Sequence, residues 1–285
     1  MFAIAGVSGR TGAVVADTLL SKGQKVRVIV RDAEKGAAWQ KKGAEVAVAD
    51  LGDVAALTKA LTGVTGASLL SPPNFAAADF LADRTALIGN MAKAVTASGL
   101  KNLVFLSSVA AQHPAGTGPI VTAHRAEQAL GKLAPSVTFV RAAYFLENYG
   151  SVIPVAKARG VLPNYGPVDV KFPQVCTKDI GAAIVQALLT PADGTRIVEL
   201  AGKEDWSAQD VAAALSSLLG KPVQAVAAPV EAAKAGLMQN GVPESMATLY
   251  AEMYAGMGKG LIMFEKPGSL ARGTTTLVDA LRPLV

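Results

Sequence analysis

Seven residues near the start of the chain, Gly6-Val7-Ser8-Gly9-Arg10-Thr11-Gly12, have the types and spacing to hold a pyrophosphate. A short apolar run precedes them and an apolar-periodic stretch follows, so they read as a strand, a glycine turn and the start of a helix. Gly6 permits the tight turn, Gly9 lets the backbone approach the phosphates, and Gly12 lets the helix pack close to the strand. Ser8, Arg10 and Thr11 share that turn. The helix N-terminus adds free backbone N–H groups and a partial positive charge.

The second strand, Lys25–Val30, ends in Arg31-Asp32, where a nucleotide-binding unit meets the adenosine ribose. An NAD site places an acidic residue there to accept from both ribose hydroxyls. Here the first polar residue is arginine, whose guanidinium pairs with a 2′-phosphate and stacks on adenine. NADP(H) is therefore expected over NAD(H), with Arg31 as main reader and Arg10 or Lys35 as helpers. Asp32 has two readings: N-cap of the helix starting near Ala33, or a ribose ligand that would weaken the NADP preference.

Through residue 140 the pattern alternates between strands and helices. Strands are expected at Phe2–Val7, Lys25–Val30, Glu45–Ala49, Ala67–Leu70, Leu103–Ser107 and Val137–Arg141. Helices are expected near 11–22, 33–42, 53–62, 78–98 and 121–133, with Leu81, Ile88, Met91 and Val95 at helical spacing. Right-handed crossovers then give an α/β, doubly wound parallel sheet of the Rossmann type, with ligands at the carboxyl ends of its strands. At those ends, Asp50-Leu51 can meet the adenine, unless Asp50 caps the next helix. Ser71-Pro72 can pass the nicotinamide half, and Phe75 follows in the same loop. Ser107-Ser108 offers hydroxyls at the crevice mouth, and Tyr144, Phe145 and Asn148 can form a pocket wall. His113 can touch substrate from the loop after strand five, or be a loop-surface residue.

After residue 150 the pattern loosens. A strand at Gly160–Pro163, a helix at Thr177–Leu189, a strand at Thr195–Ala201 and a helix at Ser207–Leu219 between a Ser207 cap and a Gly220 stop are expected. Two more helices follow near 230–239 and 243–257. Residues 1–150 are read as the dinucleotide-binding domain and 151–285 as a smaller α/β lobe interwoven with it.

Composition narrows the function classes. Of 285 residues, 51% are hydrophobic and 17% charged, enough for a large core. No apolar run reaches membrane-span length and no basic leader precedes the first strand, so a soluble, cytoplasmic protein is expected. One cysteine, Cys176, fits a reducing compartment and reads as a packed residue rather than a nucleophile. With two histidines besides, no metal site is expected. The net charge of +5 comes from scattered lysines and arginines, which argues against nucleic acid.

The chain resembles the NmrA-like group of atypical short-chain dehydrogenases/reductases, which contains NADPH:quinone oxidoreductase-like enzymes and redox-sensing regulators. The resemblance rests on GVSGRTG at 6–12, VIVRD at 28–32, the stretch at 46–64, LVFLSS at 103–108, HRAEQAL at 124–130, FVRAAYFLENY at 139–149, the segment at 175–180 and GTTTLVDAL at 273–281. It implies a Rossmann-type domain with a small C-terminal lobe, and NADP(H) bound through Gly6–Gly12 and Arg31. One departure bears on mechanism. Most short-chain reductases donate a proton from a tyrosine with a lysine four residues later, and none of Tyr144, Tyr149, Tyr165, Tyr250 and Tyr254 has one. Alcohol–ketone chemistry, which needs an acid beside the carbonyl, is disfavoured, while quinones and similar acceptors stay open.

His124 lies near where that lysine would fall. It can serve a cofactor ribose, act as a weak acid, or sit on the helix surface. Leu249, Tyr250, Met253, Tyr254 and Met257, with Phe264 after them, form an apolar stripe. It reads either as core or oligomer contact or as a lid over a flat aromatic substrate. Two functions remain: an NADPH-dependent reductase of a small conjugated acceptor, or a non-catalytic NADP(H) sensor acting on a protein partner. A homo-oligomer is compatible with both. Replacing Arg31 with Glu or Ala is expected to weaken NADPH much more than NADH in a binding titration. Equal losses for both would remove the 2′-phosphate assignment.

Overall fold

The computed structural model describes residues 1–285. In the first half, β1 (Phe2–Ala5), α1 (Arg10–Ser21), β2 (Val26–Val30), α2 (Ala33–Lys41), β3 (Glu45–Val48) and α3 (Val54–Leu61) alternate strictly. They continue as β4 (Gly66–Leu70), α4 (Phe80–Ser98), β5 (Asn102–Ser108), α5 (Val121–Leu130) and β6 (Ser136–Ala142). The second half runs β7 (Tyr144–Phe145), α6 (Ile153–Arg159), β8 (Val161–Asn164), β9 (Phe172–Val175), α7 (Thr177–Leu189) and β10 (Gly194–Ala201). It ends with β11 (Asp205–Trp206), α8 (Ala208–Leu219), β12 (Gln224–Ala227), α9 (Val230–Gln239), α10 (Glu244–Gly258), β13 (Ala271–Arg272) and α11 (Leu277–Leu281).

Eight strands form one sheet in the order β13-β10-β6-β5-β4-β1-β2-β3, with every pairing parallel. This is the Rossmann-type α/β fold expected from the alternation. Strand order reverses between β1 and β4, which opens a crevice at their carboxyl ends. Because both faces are covered, the central strands are largely buried, and β6 is buried at every residue, Ser136 to Ala142, its polar Arg141 included. One face packs Val15, Ala16 and Leu19 of α1 and Ile180 and Ile184 of α7 against the sheet. The other packs Leu57 and Leu61 of α3, Ile88 and Met91 of α4 and Leu130 of α5. A third core, around Leu146, Ile153, Trp206, Leu215 and Leu281, lies in the C-terminal part.

Local chemistry sets the helix ends. Asp32, Asp53, Asp79 and Ser207 cap α2, α3, α4 and α8 through backbone N–H groups. The Gly220 stop of α8 adopts the left-handed conformation. Phe264 departs from the stripe expectation: it is buried in the core that packs on α1 and α7, away from the other members of the stripe.

A buried ionic cluster ties the sheet to the chain's return. Arg141 on β6 grips Glu127 of α5 through Nε–Oε1 (3.0 Å) and Nη2–Oε2 (2.8 Å). Its Nη1 reaches Glu265 Oε2 (2.8 Å) and, more loosely, Glu199 Oε1 of β10 (3.3 Å). The Glu199 carboxylate also accepts from the backbone N–H groups of Glu265 and Lys266, each at 2.8 Å. Burial pulls the Arg141 pKa down, but the bonds and charges of Glu127 and Glu265 outweigh it and hold the group above the ordinary arginine value. Removing one partner of such a cluster strands the others without compensation. Arg141→Met is expected to destabilise the fold by about 3–5 kcal/mol, read as a lower urea midpoint with an unchanged slope.

Candidate functional site

The glycine turn has the predicted form. Gly6 follows β1 at φ +72°, and the Gly9 N–H donates to its carbonyl (2.9 Å). A Cβ on Gly12 would overlap the Gly6 carbonyl and the Ala5 oxygen, so only glycine lets α1 approach β1 this closely. Gly9 caps α1 with no side-chain bond, and no acidic residue stands in the first turn. The leading N–H groups of α1 are thus left for an anion, with Ser8 and Arg10 exposed beside them and Thr11 buried beneath.

At the end of β2, Asp32 accepts from Glu34 N (2.9 Å), so of its two readings the structure takes the helix cap. Arg31 and Lys35 are exposed. At the end of β3, Asp50 Oδ1 accepts from Gly52 N (2.7 Å), while Asp53, not Asp50, caps the next helix. Leu51 packs at the edge of the α3–α4 core. After β4, the Ser71 hydroxyl is buried without a partner, and the Pro72 carbonyl accepts from Arg84 Nη1 (2.7 Å). Arg84 is buried on α4 and also pairs with Asp83. It fixes the Ser71–Phe75 loop, a role its helical spacing gave no means of finding.

At three of the expected positions the structure supplies protein partners. Ser107 is not free at the crevice mouth: its Oγ donates to Glu127 Oε1 (2.6 Å) inside the Arg141 cluster, and Ser108 faces the cavity instead. His124 neither lines the cavity nor stands on the surface. Its half-buried ring bonds through Nδ1 to the Ala111 carbonyl (2.9 Å). That bond steadies a turn in which Ala110 adopts φ +65°, a strained conformation for a residue with a Cβ. His113 lies beside Gln112 (3.3 Å), and Gln112 Nε2 donates to the Met263 carbonyl (2.9 Å), so this pair ties the loop to the C-terminal part.

What the structure brings together is a cavity of about 840 Å³ over the carboxyl ends of β4, β5 and β6. Arg10 marks its anion end. Phe75, Tyr144, Phe145 and Asn148 line it as expected, and Tyr250, Met253, Tyr254 and Met257 of α10 close over it. The ring of Phe75 stacks on Tyr250 (6.2 Å, 16°). The helical stripe is therefore a cavity wall rather than core alone. Its charged lining is limited to Arg10 and Glu147, with no lysine and no histidine. Glu147 was not singled out from sequence. Its Oε1 accepts from Thr177 N (2.8 Å) and Thr177 Oγ1 (2.6 Å), capping α7, while Oε2 is buried and unpaired. Cys176 is buried at the same helix end. Burial pushes its thiol pKa up, which makes it a packed residue and a poor nucleophile.

Comparison with known proteins gives this geometry its context. Residues 1–261 match the NmrA-like family. The chain belongs to that family. It is 29% identical to quinone oxidoreductase 2 of Escherichia coli, across 100% of this chain and 98% of that protein. It is also 29% identical to the NAD(P)H azoreductase of Xenophilus azovorans, across 90% and 86%. The crystal structure of an Escherichia coli NADPH-dependent quinone oxidoreductase complexed with NADPH superposes with a TM-score of 0.83, at 28% identity and covering 100% of this chain and 99% of that one. The expected parallel sheet and glycine turn are both present in this chain.

The tyrosines yield a pH prediction. Burial raises the pKa values of Tyr144, Tyr149, Tyr250 and Tyr254 above the ordinary phenol value of 10.0. A folded-state pKa above the unfolded one contributes stability that is complete below about pH 10 and is lost as pH rises further. In an alkaline titration the phenolate absorbance of these four is expected late, together with cooperative unfolding. Ionisation near pH 10 with the fold intact would contradict it.

Proposed function

We propose that this NmrA-like protein is an NADPH-dependent reductase that passes a hydride to a quinone-like or other small conjugated acceptor without a tyrosine–lysine acid. The chain is an NAD(P)H-dependent oxidoreductase. One observation carries the finer reading: a single cavity joins the anion-binding turn at Arg10 to a wall of neutral aromatic rings. An apolar pocket of roughly 300–1,000 Å³ with few polar groups suits a flat small molecule.

The residues fit a dinucleotide. The uncapped start of α1 offers free N–H groups to a pyrophosphate, Gly12 brings that helix end close to β1, and the buried Ser71 hydroxyl has no protein partner. Gly6, Gly9 and Gly12, with Ser8 and Thr11, hold the pyrophosphate. Arg31, helped by Arg10 or Lys35, reads the 2′-phosphate, Asp50 and Leu51 border the adenine, and Ser71 and Pro72 border the nicotinamide half. Reduced nicotinamide supplies the hydride. Phe75, Tyr144, Phe145 and Asn148, joined by Tyr250 and Tyr254, orient the acceptor face-on and keep water from its plane. Residues 151–285 supply the acceptor lobe over the 1–150 domain, with β10 and β13 woven back into its sheet and α7 packed against it, and the enzyme works in the cytoplasm.

No side chain need give up a proton in the hydride step. The pocket tyrosines, raised by burial, are poorer acids than a free phenol, whereas the tyrosine of a general-acid pair must be a better one. A reduced quinone is protonated by solvent. Purified protein is expected to oxidise NADPH with members of a quinone panel. Tyr144→Phe, Tyr254→Phe and His124→Ala should each keep kcat within a few-fold, against the roughly 10²–10⁴-fold loss that removing a general acid brings. Tight NADPH binding with no turnover on any acceptor would sink the enzyme reading and leave a redox sensor.

A further inference from the structure

The acceptor cavity does not stop at its aromatic wall. A second cavity of about 490 Å³ lies against it, and both are lined by Tyr144, Tyr165, Phe172, Tyr254, Met257 and Ile262. Residues that line both spaces stand between them. Asn148, Ser151, Val152 and Pro173 line both as well, so the partition is mostly rings, a thioether and aliphatic groups with two neutral polar side chains, and none of it is charged. Met257, unbranched and flexible, is the member of the partition best able to adapt to a ligand.

The rings also form a series. Phe75 and Tyr250 stack at 6.2 Å on the first-cavity side, Tyr250 lies 6.4 Å from Tyr254, and Tyr254 lies 5.1 Å from Tyr165. Phe75 and Tyr250 line only the first cavity, whereas Tyr254 and Tyr165 line both. The series thus runs from the loop after β4, beside the proposed nicotinamide position, to the second space. A ligand of linked aromatic rings would meet a ring face or edge at each step, in the offset and tilted geometries such pairs favour. Past the partition the lining becomes mixed. Val170, Met263 and Pro267 give apolar surface, and Lys171 and Arg272 stand at the margin, with Arg272 Nη1 paired to Asp205 Oδ1 (2.5 Å).

We infer that the second cavity is a tail subsite, which receives the distal aryl ring of an elongated multi-ring acceptor while the reducible ring stays in the first cavity. The inference rests on the reductase reading and adds a substrate class to it. Acceptor length is recognised as well as electron deficiency, and a single-ring quinone uses only the first compartment.

Val170 and Met263 line the second cavity and not the first, and they are 54% and 49% exposed, so a larger side chain can be placed there without disturbing a core. Val170→Trp and Met263→Trp would be compared with the parent protein using para-benzoquinone and a para-benzoquinone carrying a biphenyl tail. NADPH oxidation would be followed, and binding of both quinones to the NADPH complex measured by calorimetry. Blocking burial of one aryl ring is expected to raise KM and Kd for the tailed quinone about tenfold or more, with kcat/KM for para-benzoquinone held within about twofold. Unchanged tailed-quinone affinity in both variants, or equal losses for both quinones, would overturn the tail subsite. Absence of turnover by the parent protein would refute the reductase reading, and the calorimetric comparison would still decide the subsite.

Discussion

Arg141 of β6 carries a positive charge into a nearly water-free position where α5, β10 and the loop after α10 converge on its strand, and each of those three answers it with a carboxylate. Such a group is costly to bury and more costly to leave half-paired. Its bidentate hold on Glu127 fixes α5 against β6, and Glu127 then takes the Ser107 hydroxyl, which sets the end of β5. Glu199 extends the same network to residues 265 and 266, so the path of the chain leaving α10 is determined by the end of the sheet. The aromatic wall on α10 depends on that anchoring. A polar cluster some way from the reacting surface thereby governs where Tyr250 and Tyr254 can stand.

A second clamp works alongside it. Asp179, buried on α7, accepts from Thr275 Oγ1 (2.9 Å) and Thr275 N (3.2 Å), and a side chain on Gly273 would collide with its carboxylate. This joins the segment at 175–180 to the GTTT tail. Close packing of Gly181 on Val14 then seats α7 against α1, the helix whose N-terminus forms the anion site. The anion turn and the C-terminal segment are thus coupled through two helices that meet closely where Gly181 faces Val14.

How far the sequence was readable follows from the range of the forces involved. Strands, helices and caps at Asp32 and Ser207 depend on periodicity and on neighbours within four residues, so they could be read directly. The glycine turn was legible for the same reason. Ser107 was misjudged because its partner is twenty residues away on a helix face. The partner of His124 was not legible because the Ala111 carbonyl it meets belongs to a loop whose path propensity does not specify. Arg84 and Glu147 gave no local signal at all: each is a charged residue in an ordinary helical or turn context, and its importance comes from a distant backbone group. Phe264 fell at a spacing that matched the stripe, yet the loop that follows α10 turns it into a different core.

The parallel pairing of β10 with β6 and of β13 with β10 has a bearing on how the molecule comes to be made. β13 joins its neighbour some seventy residues after that neighbour has been synthesised, and the Glu199 and Asp179 clamps wait on the same late segment. Contacts of such separation form slowly, after the entropy of closing a long loop has been met. The first six strands can assemble on the ribosome with one edge, β6, still bare. During that interval the exposed strand edge is open to mispairing. β10 covers that edge, and the later segment then adds β13 beside it and completes the Glu199 and Asp179 clamps, so vulnerability to aggregation is concentrated in the interval before β10 and its clamps are in place.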